Sequence, residues 1–250
     1  MDPLAIVAIG AALLVGALGQ RIVGMGFGLI AMPVLVLTLG PLPAVVAVNA
    51  FGAMSTVLVM TRTWGLIDWR RLWWMLVPAV AGAIAGILLA RGASSDLLKA
   101  IVGALIVVAI LLTLVRRRDA RPIDGPGVLG GGGLVVGALT GSLGVGAPVL
   151  GILGLVTQWE PRAFGATLQP FFCALSTVVV AAKVAIDPHD APPWPWWGWL
   201  LAAVPLVVGF VVGDRVAAHV PTAAIRCGIL AISLAGSVIV LVSGVAGMLA

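Results

Sequence analysis

Gly137-Ala138-Leu139-Thr140-Gly141-Ser142-Leu143-Gly144-Val145-Gly146-Ala147-Pro148 is the second statement of a pattern that the chain first makes as Gly16-Ala17-Leu18, then Gly24-Met25-Gly26, with Pro33 following. Each is an apolar hairpin broken by glycine. The echo runs on: Asn49-Ala50-Phe51-Gly52-Ala53-Met54-Ser55-Thr56 aligns with Pro170-Phe171-Phe172-Cys173-Ala174-Leu175-Ser176-Thr177, and Pro78, Gly82 and Gly86 align with Pro205, Gly209 and Gly213. Doubled sets of interrupted hydrophobic segments mark transporters whose site lies between two repeats.

Composition sets the solvent. With 62% apolar and 9% charged residues in 250, and a mean hydropathy of +1.22, the chain lies far from soluble domains, which are about 25% charged. Long charge-free stretches such as 22–61 and 125–159 suit membrane helices, for which about 20 apolar residues suffice. The short alternating segments of a closed β-barrel are missing, so the class is all-α and polytopic. Met1-Asp2-Pro3 offers no basic leader region, and the first segment reads as retained. Cys173 and Cys227 fall inside apolar segments and read as small apolar filler.

Charges and prolines divide the chain into segments at about 3–20, 22–40, 44–61, 72–90 and 97–115, then 127–141, 143–157, 163–185, 195–213 and 221–246. Five segments per repeat is an odd number, so repeats of one fold must enter the membrane from opposite sides. Residues 1–115 form the first repeat, 116–126 a basic linker and 127–250 the inverted second repeat. Basic residues supply an independent check. Arg21, Arg62, Arg70, Arg71, Arg116, Arg117, Arg118, Arg121, Arg162, Arg215 and Arg226 fall on one side, against Arg91, Lys99 and Lys183 on the other. By the positive-inside rule the first side is cytoplasmic. The net charge of +5 therefore reports orientation, and no nucleic-acid partner is expected. All nine tryptophans lie at segment ends, the headgroup level where indoles are favoured.

The return leg 143–157 covers about 22 Å at 1.5 Å per residue, short of a hydrocarbon core of about 30 Å. It reads as a re-entrant or broken hairpin. Two such hairpins would enter from opposite faces, tip to tip, with three spanning helices in each repeat. Segment 3–20, at about 27 Å, is also long enough to cross, which leaves the first hairpin open between the two readings. Backbone at an embedded tip must be buried in protein or line a watery cavity. Each return leg opens at a Gly-x-Gly, which puts unpaired N–H groups and the positive end of a helix dipole at the tip. That geometry suits an anion, and glycine lets it approach the backbone.

Arg21 is the one charged residue between Pro3 and Thr61. It stands beside Gln20 at the first tip, near Gly24 and Gly26. A guanidinium there would grip an oxyanion with two parallel hydrogen bonds; if segment 3–20 spans fully, Arg21 is an ordinary turn charge. The second tip offers Thr140 and Ser142 beside Gly144 and Gly146, with no matching cation, so the site is expected to be asymmetric. Asn49, Ser55, Gln169 and Ser176 in the following helices complete the candidate set. Their hydroxyls have a competing fate in bonds to carbonyls one turn earlier, whereas the two amides are harder to satisfy locally.

None of the acidic residues lies mid-span, so a proton or sodium coupling carboxylate is not evident. The membrane potential alone moves one negative charge outward with about 2.3 kcal/mol per 100 mV. Asp187-Pro188-His189-Asp190 is a weak metal signal, and nucleotide loops, zinc spacings and nucleophile elbows are absent. No cofactor, no metal and no enzymatic activity are expected.

In these same residues the chain resembles the sulfite exporter TauE/SafE family, also called the toluene sulfonate uptake permease family. The likeness rests on Gly24-Met25-Gly26-Phe27-Gly28 through Pro33, Leu42-Pro43-Ala44-Val45 with Ala47-Val48-Asn49, Ile67-Asp68-Trp69-Arg70, and Pro78 through Gly86 before Arg91. It departs from that pattern at Arg21 and in having few glycines around the first tip. The resemblance implies a bacterial or archaeal inner-membrane carrier for sulfite, sulfonate or sulfoacetate type anions, working by alternating access and expected to export. A channel-like anion pore, or an uptake permease for another small anion, is the alternative. Lipid is the expected surroundings, and faces rich in tryptophan and GxxxG spacings permit a homodimer.

Overall fold

The computed structural model describes residues 3–23, 27–114, 123–217 and 222–249. Ten α-helices appear among them, and no strand. They are α1 (Pro3–Val23), α2 (Phe27–Leu39), α3 (Pro41–Thr63), α4 (Trp69–Arg91), α5 (Ser95–Leu114), α6 (Pro126–Leu143), α7 (Ala147–Thr157), α8 (Pro161–Ile186), α9 (Trp196–Ala217) and α10 (Thr222–Leu249). Seven are long and apolar enough to cross a membrane, α1 and α6 among them, while α2 and α7 are short. Both hairpins are thus unequal, with one leg of crossing length and a stub of 13 or 11 residues. The short return leg expected of the second hairpin is present, and the first return leg, expected over 22–40, is a stub as well; the legs leading into them are longer than a symmetric re-entrant loop requires. The basic linker residues 116–122 lie outside the described residues.

Helix starts follow local chemistry. Asp68 caps α4 by accepting from Arg71 N–H, and Glu160 caps α8 by accepting from Arg162 and Ala163 N–H, each satisfying donors that a first turn leaves open. Pro41, Pro126 and Pro161 open α3, α6 and α8, where the missing N–H costs nothing.

Close backbone contact fixes the tertiary pairing. A Cβ at Gly133, Gly137 or Gly141 of α6 would overlap the carbonyls of Met75, Ala79 and Ala83 on α4; one at Gly82 or Gly86 would overlap those of Leu134 and Ala138. Small residues let two apolar helices touch along their backbones, which is how helices associate without a hydrophobic drive between them. The rising numbers on both sides show that α4 and α6 run parallel. Likewise α1 runs parallel to α9, with Gly10 beside Pro205 and Gly209 against the Leu14 carbonyl. Helices α5 and α10 pair antiparallel, Gly103 meeting Leu241 and Gly244 meeting Ala100. Helices α3 and α8 form the fourth pair.

The packed core is apolar: Leu13, Met32, Leu35, Phe51, Leu129, Phe171 and Leu175 are fully buried. The outside is also apolar. Leu4, Leu89, Trp196, Leu200, Leu201, Val242 and Leu249 are exposed, the pattern of a chain solvated by lipid and not by water. At one edge Arg70 stacks over Trp74 at 4.4 Å and Arg71 over Trp159 at 4.6 Å, so cation and indole share a level.

Candidate functional site

Helices α3 and α8 face each other at mid-length, and there both turn polar. Gly52 lies about 16 Å along the 34 Å of α3, and Gln169 and Ser176 lie about 12 and 22 Å along the 39 Å of α8. Val48, Asn49, Gly52 and Thr56 form one face of α3; Gln169, Phe172 and Ser176 form one face of α8, as three- and four-residue spacing requires. Between them lies a cavity of about 70 Å³, several times the ~10–15 Å³ that one water occupies. It sits near the middle of both helices.

The turn between α6 and α7 and the start of α2 line the cavity. Helix α6 ends as Gly144 turns left-handed at φ +70° and returns its N–H to the Thr140 carbonyl at 3.0 Å. That conformation favours glycine, and a Cβ there would lie 2.8 Å from Val48 Cγ1 and 3.2 Å from Met32 Sδ. Gly146 then caps α7 without a side-chain hydrogen bond, and Pro148 follows Ala147. The Gly146, Ala147 and Val149 amides therefore open a helix whose first-turn donors have no intrahelical acceptor. The start of α2 meets this turn, since a Cβ on Gly28 would lie 3.4 Å from the Gly144 carbonyl.

Of the residues singled out from sequence, Gln20, Asn49, Thr140, Gly144, Gly146, Gln169 and Ser176 line this cavity together. Ser55 stands just behind, donating to Gln20 Oε1 at 2.9 Å, with the Gly52 carbonyl also within reach at 2.8 Å. Ser142 turns away and donates to the Ala138 carbonyl at 2.6 Å. Arg21 is not among the lining residues; its stem packs on α9, where a Cβ at Gly213 would lie 3.0 Å from Arg21 Cβ. Gly24 and Gly26 lie outside the described residues.

One expectation about the amides needs correcting. Asn49 Nδ2 donates to the Val45 carbonyl at 2.8 Å and Gln169 Nε2 to the Gly165 carbonyl at 3.0 Å. Both find local partners after all, because helical side chains lean toward the preceding turn. The Asn49 bond uses one of the two hydrogens that an NH₂ carries. Thr140 and Thr56 likewise bond back to Val136 and Ala53 at 2.7 and 2.8 Å. Among the described residues Ser176 Oγ has no protein partner, although Ser176 is only 4% exposed.

Sequence reasoning missed Gly28, Gly52, Thr56 and Phe172. Gly28 was visible in the glycine-rich opening. Thr56 was hidden by its neighbour Ser55, since choosing between them requires the rotation of α3.

No ionisable residue lines the cavity among the described residues. The donors that converge are side-chain amides, the Ser176 hydroxyl and a helix terminus, a set suited to a small anion. The family model for the sulfite exporter TauE/SafE matches residues 8–244. The chain belongs to the sulfite exporter TauE/SafE family. Membership and the seven crossing-length helices make it a multi-pass membrane transporter of sulfite-type anions. No curated protein and no solved structure matched the chain closely enough to narrow that class.

Proposed function

We propose that this TauE/SafE member exports a small oxyanion, sulfite or a short sulfonate such as sulfoacetate, across a bacterial or archaeal inner membrane by alternating access. The observation that carries this is the cavity at mid-helix, in which the Gly144–Gly146 turn and the start of α2 meet between the polar faces of α3 and α8. Its size favours a compact anion over an extended organic one. Gln20, Asn49, Ser176 and the α7 amides hold it by dipoles. Without a cation in the lining, affinity stays moderate, which release on the far side requires.

Helix pairing supports two inverted repeats. Exchanging α1 with α6, α2 with α7, α3 with α8, α4 with α9 and α5 with α10 turns the α4–α6 pair into the α9–α1 pair, both parallel. The same exchange maps the α3–α8 and α5–α10 pairs onto themselves. Such an arrangement can rock one half against the other around a fixed site. With no mid-span carboxylate, the membrane potential is the driving force, about 50-fold per charge at 100 mV.

Flux of radiolabelled sulfite in proteoliposomes under an imposed potential tests the reading. Export of net charge predicts flux that reverses with the potential and shows saturable countertransport. Linear flux without countertransport would replace the carrier by a pore, and potential-independent flux would replace electrogenic export by exchange.

A further inference from the structure

Seven residues beyond Ser176 on α8, and fourteen beyond Gln169, stands Lys183. Seven residues are nearly two helical turns, so all three side chains share one face, and Lys183 lies about 10 Å further along α8 than Ser176. Val179, between them, is fully buried, which keeps that face inside the protein. Lys183 itself is 0% exposed, and its Nζ lies 3.5 Å from Asp190 Oδ2, whose side chain is 6% exposed. Sequence reasoning counted Lys183 merely as an outer-end topology charge.

Asp190 belongs to a loop folded back over the end of α8. Asp187 turns that loop by accepting from His189 N–H at 3.0 Å and pairs with Arg91 of α4 at 2.9 Å. Trp194, four residues on, packs its ring against Phe51 and Trp199 at 6.4 and 5.1 Å. Phe51 adjoins Gly52 of the cavity wall. One segment, 187–195, thus covers the last turn of α8 with a carboxylate on a buried ammonium and reaches the middle of α3 with an indole on a buried ring.

Burying an ammonium and a carboxylate costs several kcal/mol per ion, and apolar replacement of such pairs is often neutral or stabilising. Stability alone gives little reason for this pair to lie on the polar face of α8. A charge-assisted bond is shorter when well made, about 2.7–2.9 Å; at 3.5 Å the carboxylate sits loosely and an ammonium has three donors to offer.

We infer that Lys183 is a second anion subsite, on the outward path from the cavity, and that Asp190 occupies it as a tethered competitor when no substrate is passing. An anion leaving the neutral cavity reaches Lys183, displaces Asp190, and so frees segment 187–195 to lift. When the anion departs, Asp190 returns and the path closes. This rests on the anion-carrier reading and on the orientation that puts Lys183 outside.

The test uses the full chain in proteoliposomes of sorted orientation, with radiolabelled sulfite presented to one face at a time, for wild type, Asp190→Asn and Lys183→Met/Asp190→Leu. Removing the competitor should lower the outer-face KM about tenfold or more and slow maximal efflux, because the anion now lingers on Lys183. The apolar double variant leaves no charge buried alone. It should melt like wild type by tryptophan fluorescence, yet raise the outer-face KM about tenfold while leaving the inner-face KM unchanged. A double variant that folds and keeps the wild-type KM on both faces would reduce the pair to a structural contact and overturn the subsite. If wild type itself carries neither sulfite nor a small sulfonate, the carrier reading fails in its own arm and the subsite falls with it.

Discussion

Ser55 on α3 donates a 2.9 Å hydrogen bond to Gln20 Oε1 near the end of α1, joining residues 35 apart in the chain. When Ser55 gives its one hydrogen to Gln20 rather than to the Gly52 carbonyl at 2.8 Å, Oε1 is engaged and the NH₂ is left for a ligand. A net hydrogen bond is worth about 0.5–1.5 kcal/mol. Ser55→Ala should therefore raise KM for sulfite about two- to tenfold with little change in maximal rate, and Gln20→Ala should raise it further. Equal KM in wild type and Ser55→Ala would show that the amide needs no such positioning.

The left-handed turn at Gly144 has no room for a side chain. A side chain there meets Val48 Cγ1 at 2.8 Å and adopts φ +70°, a conformation that costs L-residues about 1–2 kcal/mol. Gly144→Ala is expected to insert in the membrane, lose about that much stability and lose most transport. Adding Val48→Ala removes the steric part and should recover some flux but not all of the stability. Wild-type flux in Gly144→Ala alone would place the substrate elsewhere.

Helices α4 and α6 make the closest backbone contact, and the α6 glycines differ sharply within it. Gly137 faces the Ala79 carbonyl, whereas Gly131 has nothing within 4 Å. Overpacking costs about 1–3 kcal/mol even where neighbours can shift, and a carbonyl in a packed helix shifts little. Gly137→Ala should lower the melting temperature in detergent by several degrees or prevent folding, while Gly131→Ala should be neutral or slightly stabilising through helix propensity. Equal melting of the two variants would contradict the packing described.

Much of this was legible in the sequence because its signals are local. Glycine pairs, prolines and charge spacing mark breaks wherever they occur, so the hairpins and the helix limits of α3 to α5 and α8 to α10 emerged within a few residues. What escaped depends on rotation and on distant neighbours. α2, apolar on every side, offers no periodicity from which to choose a face, and the choice between Ser55 and Thr56 needed the packing of α1 beside α3. Nothing near Arg21 reveals that Gly213 of α9 provides a shelf for its stem. Nor does Lys183 announce that a loop folds back to bury it, although Asp187-Pro188-His189-Asp190 carries the turn chemistry that makes the fold-back feasible.

Acid should loosen the ends of α8 before its middle. Glu160 takes hydrogen bonds from the Arg162 and Ala163 amides at 2.9 and 2.6 Å, and these two donors hold its carboxyl below the usual glutamate value. At the other end the His189 backbone N–H, then its side chain, hold Asp187 below the usual aspartate value. A carboxyl depressed in the folded state contributes stability above its unfolded pKa and loses it as pH falls through the folded one. Melting temperature should therefore be flat from neutral down to about pH 4.3, the unperturbed glutamate value, and drop below it. Glu160→Gln with Asp187→Asn should flatten that acid limb, and an unchanged limb would show that neither cap matters to folding.

Arg21 separates two accounts of the first tip. A guanidinium that grips the oxyanion with two parallel bonds predicts that Arg21→Ala abolishes binding in a folded protein and that Arg21→Lys, which keeps the charge but not the fork, is also impaired. The geometry favours a different division of labour, with Gln20 in the cavity wall and the Arg21 stem laid on α9 over Gly213. On that basis Gln20→Ala raises KM more than Arg21→Ala does. Arg21→Ala acts first on the melting temperature through the α1–α9 contact, and Gly213→Val, which crowds the same stem, shifts stability in the same direction. Sulfite flux and detergent melting of these four variants decide between them: lost binding at unchanged stability in Arg21→Ala returns the arginine to the centre of the site.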